Sequence, residues 1–379
     1  MGEHGASTLF PADRLDRAAS AADASGLDAL LITPGADLRY LTGYHALPLE
    51  RLTCLVLPAR GPAALVVPRL ELPRAQESAA GSLGMQIVGW DETEDPYEIC
   101  ASLLRMAVDG EPVAIGVADR MWAVQALRLR DALPAADQRA AGGVLRELRM
   151  RKTKDEVEAL RAAGAAIDRV HARIGEWLRP GRAEAEVGRD IAAAIVEEGH
   201  VQVNFVIVGS GPNGASPHHD TGPRVIERGD AVVVDIGGAT AEGYCSDETR
   251  TYVVGDAPEG FADYYEVLRQ AQQAACEAVR PGVTCASIDA VAREVITAAG
   301  YGEYFIHRTG HGIGLEEHEE PYIVAGNEEL LEPGMAFSIE PGIYLPGRHG
   351  ARIEDIVVCT ETGHDNLNLV TRELIVIEA

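Results

Sequence analysis

The chain has 379 residues, which at roughly 150 residues per domain predicts two or three domains. Its 46% apolar and 24% charged residues are those of an ordinary globular protein and exclude a mainly disordered chain. With 59 acidic against 33 basic side chains the net charge is −26, which repels phosphate backbones and anionic lipid, so neither nucleic acid nor membrane is expected as a partner. Six cysteines (Cys54, Cys100, Cys245, Cys276, Cys285 and Cys359) form no C-x-x-C pair, so a zinc ribbon and a dense disulfide framework are not expected. A reduced, cytoplasmic compartment fits that pattern. The first residues carry no basic and apolar leader, and no run of 18 apolar residues occurs, so neither secretion nor a membrane span is expected.

In chain order, a helix is predicted over 11–25, followed by extended runs at 27–33, 52–57, 63–67, 85–90 and 113–118. Helical segments at 70–78, 97–108 and 122–133 lie between several of them, which reads as an α/β domain of about 135 residues. Around 134–143 the composition turns to Ala, Asp and Gly, and the basic run Arg146, Arg149, Arg151, Lys152 and Lys154 follows, read as a solvated junction at a domain boundary. Thr153 and Glu156 are spaced as a capping box. From Val157 to Leu178 apolar residues recur at steps of three and four on one helix face, with His171 read as a packed histidine on it. Further helices are predicted at 183–198, 261–279 and 287–299.

The apolar run Ala231–Val234 ends in Asp235, and the extended run Tyr244 to Val254 carries Asp247. A hairpin centred on position 241 would set these two carboxylates opposite each other, which destabilises a sheet. The pattern recurs where Ile339-Glu340 turns back to Arg352-Ile353-Glu354, so that a hairpin centred on 347 sets Glu340 opposite Glu354. Between the pairs lies His307-Arg-Thr-Gly-His311-Gly-Ile-Gly-Leu-Glu-Glu-His318-Glu-Glu-Pro321, read as a Gly-rich loop whose backbone must approach something small. Four carboxylates and an imidazole are hard ligands suited to Mn²⁺, Co²⁺ or Zn²⁺, and four negative charges balance two divalent ions. Such a pair, roughly 3.5–4 Å apart, holds a bridging water and lowers its pKa toward about 7, giving a hydroxide for amide hydrolysis. One competing motif, Gly209-Ser-Gly211-Pro-Asn-Gly214, matches G-x-G-x-x-G, but Pro217 and the absence of an apolar helical stripe after it argue against a dinucleotide site.

The second half, about 150–379, resembles the pita-bread metallopeptidases, the family of prolidase, aminopeptidase P and methionine aminopeptidase. The first half, with Asp37-Leu-Arg-Tyr-Leu-Thr-Gly-Tyr44, is similar to the N-terminal domain of the prolidase and aminopeptidase P branch. The resemblance implies an α+β pita-bread (creatinase/aminopeptidase) catalytic domain at 153–379, its curved sheet backed by helices. A smaller α/β domain with a mixed sheet would precede it at 1–140, with a linker at 141–152. Carried over by motif, the metal ligands are Asp235, Asp247, His311, Glu340 and Glu354, holding two divalent ions, Mn²⁺ first and Co²⁺ or Zn²⁺ as alternatives. His218 and His318 match positions that contact the scissile group, Glu340 doubles as proton acceptor, and His307, Tyr344 and Arg352 match positions that bind substrate or support the ligands. The expected reaction is cleavage before proline in Xaa-Pro dipeptides or short peptides by a metal-bridging hydroxide, in a homodimer. The alternatives are an Xaa-Pro aminopeptidase acting on longer peptides and a non-catalytic peptide-binding module of the same fold, while a metal-free creatine hydrolase is disfavoured because all five ligands are present. Two departures stand out. The aspartates are 12 positions apart where the family commonly has 11, and Tyr322 follows His318-Glu-Glu-Pro321 where prolidases often carry an Arg that clamps the dipeptide carboxylate.

Overall fold

A computed structural model describes residues 9–378, and the chain divides into two compact units after Arg149. In the first unit the strands β1 (Ala29–Ile32), β2 (Cys54–Pro58) and β3 (Ala64–Pro68) are buried along their whole length. β4 (Gln86–Trp90), β5 (Ala114–Val117) and β6 (Asp137–Ala140) complete a six-stranded sheet of order β4-β3-β2-β1-β5-β6, in which β1–β2 and β2–β3 are antiparallel and the other pairs parallel. The expected mixed sheet is therefore present. Helix α1 (Asp13–Ala24) precedes β1, and α2 (Ala36–Thr42), α3 (Leu72–Glu77), α4 (Pro96–Val108) and α5 (Ala123–Ala132) lie between strands. α4 starts where sequence chemistry directs, with Asp95 Oδ1 accepting from Tyr97 N at 2.9 Å and Pro96 in the first turn.

Two readings of this half need correction. β6 has the sequence Asp-Gln-Arg-Ala and is mostly exposed, so it carries no apolar alternation by which an edge strand could be recognised. Residues 141–152, expected as a linker, instead contain helix α6 (Gly142–Met150), which buries Val144, Leu145 and Met150. Its start is held by Asp119, whose Oδ1 accepts from Gly142 N at 2.7 Å, and Arg149 pairs with Asp37 at 2.7 Å. Nor is the basic run wholly solvated. Lys152 Nζ is buried and donates to Glu319 Oε1 at 2.6 Å, an ion pair that only close geometry makes tolerable.

The second unit opens with α7 (Lys154–Ala172), whose capping box is complete: Glu156 N donates to Thr153 Oγ1 at 3.3 Å and Thr153 N to Glu156 Oε2 at 2.8 Å. The helix ends before the predicted Leu178, and a single 3₁₀ turn at Ile174–Glu176 carries the remainder. α8 (Glu184–Glu197) follows, then β7 (Gln202–Ser210), β8 (Ala231–Ala239) and β9 (Cys245–Val254), with α9 (Phe261–Ala278) and α10 (Cys285–Ala298) beyond. Short strands make up the rest: β10 (Gly310–Gly312), β11 (Glu319–Ile323), β12 (Ala336–Ile339), β13 (Gly342–Leu345), β14 (His349–Arg352), β15 (Asp355–Cys359), β16 (His364–Asn366) and β17 (Ile375–Ile377).

The expected curved sheet is built as three: β17-β9-β8-β7, β11-β10-β12-β15-β16, and the hairpin β13–β14. A backbone bridge between Thr249 and Glu354 joins the first to the second. Residues of α7 and α8, among them Ile167, Val170, Val187 and Ile191, pack against Val232, Val234 and Ile236 of β8. A second core joins Phe261, Leu268 and Ile288 of α9 and α10 to Phe337, Ile339 and Val357. The G-x-G-x-x-G segment leads from β7 into a 3₁₀ turn at Gly211–Ala215, so it opens no helix that could bind a pyrophosphate.

Candidate metal centre

β8 and β9 pair Asp235 with Thr249 and Gly237 with Asp247, so the hairpin is centred on 242 and not on 241. Asp235 and Asp247 are diagonal neighbours on one face and do not stand directly opposite, because a turn centred one residue later shifts the register by two positions. The other hairpin follows its prediction: Ile339 pairs with Asp355 and Gly342 with Arg352, both centred on 347, the register in which Glu340 falls opposite Glu354.

His311 lies on β10, not in a loop. The approach that requires its flanking glycines is to protein backbone: a Cβ on Gly310 would stand 1.9 Å from Ser338 O, and one on Gly312 2.2 Å from Glu320 O. The glycines let β10 slide between its neighbours and carry His311 to the carboxylates, with Nε2 3.2 Å from Glu340 Oε1, 3.6 Å from Asp247 Oδ2 and 4.0 Å from Glu354 Oε1. Nδ1 lies 3.2 Å from Gly312 O, and with the ring's proton held there Nε2 would be free to ligate an ion.

The result is a buried cluster of acceptors. Potential ligand atoms of Asp235, Asp247 and Glu354 lie within 4.8 Å of one another, as do those of His311, Glu340 and Glu354, and those of Asp247, His311 and His318. Asp235 Oδ1 and Glu354 Oε1 are buried without a hydrogen-bond partner among the described residues. Burial, then the charges of Glu354, Asp235 and Glu340, pushes Asp247 well above the usual carboxylate range. Burial and the charges of Glu340 and Asp235 do the same to Glu354. For Glu340 burial acts upward too, but the bond to His311 and the neighbouring His311, His307 and Arg352 side chains outweigh it and hold it at about 2. Orphaned oxygens, mutual repulsion and an all-hard donor set are what a divalent cation would relieve, and the residues fit such an ion.

These groups line a cavity of about 600 Å³ together with His218, His307, His318 and Arg352, so nine of the ten residues expected at the site share one cavity wall. The tenth, Tyr344, stands behind it: Arg352 Nη1 donates to the Tyr344 hydroxyl at 2.8 Å, and that hydroxyl lies 2.9 Å from His307 Nε2. His307 Nδ1 sits 2.7 Å from Arg308 O, so the chain runs Arg352 to Tyr344 to His307 to a carbonyl with every donor used. Burial lowers the His307 pKa and leaves the ring neutral at neutral pH. Arg352 also donates to Asp235 and, from Nε at 3.1 Å, to Thr249 Oγ1. Burial pushes His318 down to about 4, with His311 and Arg308 acting the same way.

Several residues here were not singled out from the sequence. Thr249 Oγ1 donates to Glu354 Oε2 at 2.7 Å, and Ser338 Oγ donates to Glu340 Oε1 at 3.0 Å while accepting from His311 N at 3.0 Å. Each sits two positions from a predicted ligand on an extended chain, so strand alternation alone identifies them. Phe205 and Ile207, alternate residues of β7, form the apolar wall; Ile207 pairs with Asp235, and a Cβ on Gly237 would stand 2.6 Å from the Phe205 ring. Arg308 also lines the cavity, with its guanidinium 4.3 Å from the Tyr322 ring centroid.

A buried acid-and-histidine cluster able to hold divalent ions, on a catalytic unit of this fold, is the arrangement of a metallopeptidase. Residues 158–361 match metallopeptidase family M24 and residues 14–151 the creatinase/prolidase N-terminal domain, and the chain belongs to family M24. It is 57% identical over 366 residues to the probable dipeptidase PepE of Mycobacterium tuberculosis, covering 97% of this chain and 96% of that one. It is 36% identical over 357 residues to the Xaa-Pro dipeptidase of Lactobacillus helveticus, covering 93% and 96%. The crystal structure of dipeptidase PepE from Mycobacterium ulcerans superposes with a TM-score of 0.92 at 56% identity, covering all of both chains.

Proposed function

We propose that the protein is an Xaa-Pro dipeptidase whose Asp235, Asp247, His311, Glu340 and Glu354 hold two divalent ions, Mn²⁺ first and Co²⁺ or Zn²⁺ as alternatives. The observation that carries this reading is the buried cluster of four carboxylates and one imidazole with two orphaned oxygens. Bound there, divalent ions supply Lewis acidity that polarises a carbonyl and acidifies water, so that even a weak base suffices. Glu340, ionised at neutral pH, takes the proton of the attacking water and returns it to the proline nitrogen. His318 is neutral, and a bond from Arg308 Nη2, 3.4 Å from its Nδ1, leaves the proton on Nε2 to donate to the developing oxyanion beside His218. Phe205 and Ile207 offer the proline ring an apolar wall.

The C-terminal carboxylate of a dipeptide needs a cation, and Tyr322 does not supply it. Arg352 is taken by Asp235, and His219 by Glu184 at 2.8 Å. Arg308 supplies it instead: it lines the cavity, stacks on Tyr322 and makes no ion pair among the described residues. Homodimeric assembly and a cytoplasmic location belong to the same reading. Among the described residues no helix is long and apolar enough to cross a membrane.

The test compares kcat/KM for an Xaa-Pro dipeptide and for the same dipeptide extended by two residues, on chelator-stripped protein reloaded with Mn²⁺. A preference of at least about tenfold for the dipeptide is expected, the worth of one charge-assisted pair. Equal cleavage of the longer peptide makes the protein an Xaa-Pro aminopeptidase, and no hydrolysis with Mn²⁺, Co²⁺ or Zn²⁺ leaves a peptide-binding module. Sedimentation of an active monomer refutes the dimer.

A further inference from the structure

On β9 Asp247 and Thr249 turn toward the cavity, so alternation sends Glu248 and Arg250 to the opposite face. Arg250 is 1% exposed and every donor is used. Nε donates to Thr371 O at 3.0 Å, Nη1 to Thr249 O at 2.9 Å and Glu354 O at 2.6 Å, and Nη2 to Asp355 Oδ1 at 2.6 Å and Val370 O at 2.8 Å, with Glu248 Oε1 at 3.0 Å. Two of the four carbonyls belong to Thr249 and Glu354, the residues whose backbone bridge joins the two larger sheets, with Glu354 N donating to Thr249 O at 3.1 Å. One sheet carries Asp235 and Asp247, the other His311 and the strand leading to Glu340, and Glu354 sits at the joint. A buried ionic cluster is a poor way to gain stability, since apolar residues of the same volume commonly do as well or better. It is a good way to fix two backbone segments in one geometry.

Resting on the metal-centre reading above, we infer that Arg250 is a positioning residue: by gripping the carbonyls of Thr249 and Glu354 from behind the sheet it sets the spacing of the two ligand groups, and so the affinity for a divalent ion. Arg372 provides the contrast. Its Nε donates to the same Asp355, at Oδ2 and 2.5 Å, but its side chain bonds neither Thr249 nor Glu354.

The experiment titrates Mn²⁺ calorimetrically into the full-length, chelator-stripped wild type, Arg250→Lys and Arg372→Met, with melting of the metal-free forms recorded alongside. Arg250→Lys is expected to weaken Mn²⁺ binding about 10- to 100-fold, while Arg372→Met lowers the melting temperature but stays within about twofold of wild-type affinity. Should Arg250→Lys not fold, Asp355→Asn replaces it, because it releases the guanidinium from its charged anchor, and its affinity must again fall below that of Arg372→Met. Equal affinity in the Arg250 (or Asp355) and Arg372 variants overturns the inference. Failure of the wild type to bind Mn²⁺, Co²⁺ or Zn²⁺ refutes the metal centre instead, so the two failures are separable.

Discussion

Arg352 donates from Nη2 to Asp235, although the two residues are 117 positions apart and lie on different sheets. Burial alone would make this guanidinium less basic, but Tyr344 and the Asp235, Glu340 and Glu354 charges outweigh it and keep it protonated. It brings to the carboxylate cluster one positive charge that the turn between β8 and β9 does not contain. Arg352→Lys keeps the charge but loses the fork that reaches Asp235, Tyr344 and Thr249 together. Its kcat/KM is expected to fall about 10- to 100-fold, with metal content measured by atomic spectroscopy retained.

Repulsion within the cluster implies that the site is built at a cost to the metal-free fold. Asp247 and Glu354 are both pushed upward, so holding either of them ionised without a cation costs free energy. Glu354→Gln removes one charge at nearly constant shape while keeping an acceptor for Thr249. The metal-free variant is expected to melt higher than metal-free wild type, by on the order of 2 °C for each kcal/mol of repulsion relieved. Added Mn²⁺ should raise the wild-type melting temperature but not that of the variant. A variant that melts lower without metal contradicts the repulsion argument.

Much of this was legible in the sequence because charged residues in apolar strands are rare and have few explanations. Asp235 after four apolar residues and Glu340 after Phe337 and Ile339 mark buried acids wherever the strands happen to pair. Pairing itself was less legible: the turn between β8 and β9 gave no signal for its centre, and the true register sets Asp235 opposite Thr249. α6 was missed because Gly142 and Gly143 read as a break, whereas Asp119, 23 positions upstream, supplies the partner that starts the helix. Arg250 and Lys152 were out of reach for the same reason, since what makes them structural is a set of partners more than 100 residues away.

Substrate charge gives a sharper test of Arg308 than loss of activity alone. Removing one partner of a charge-assisted bond costs about 1.5–3 kcal/mol, or about 10- to 100-fold. Arg308→Met is expected to lose that factor for an Xaa-Pro dipeptide, chiefly in KM, and to lose much less for the corresponding dipeptide amide, which has no carboxylate. Equal losses on both substrates would mean that Arg308 acts through His318 and not on the substrate terminus.

Acid sensitivity should trace in part to a histidine outside the cavity lining. His171 on α7 is buried, with Nδ1 2.8 Å from the Tyr252 hydroxyl and Nε2 3.2 Å from Glu248 O. Burial, reinforced by Arg250, lowers its pKa to about 3, against 6.5 for the exposed ring. Between those values the unfolded chain binds a proton that the folded chain refuses, so stability is fully present above about pH 6.5 and is lost as the pH falls toward 3. A shift of this size is worth a few kcal/mol, at about 1.4 kcal/mol per unit. His171→Gln keeps a hydrogen-bonding group but cannot titrate. Its melting temperature is expected to lie below that of wild type at pH 7.5 and to decline less steeply between pH 6.5 and 4.5. Parallel declines in the two proteins would assign the acid lability to the other buried histidines and remove His171 from the account.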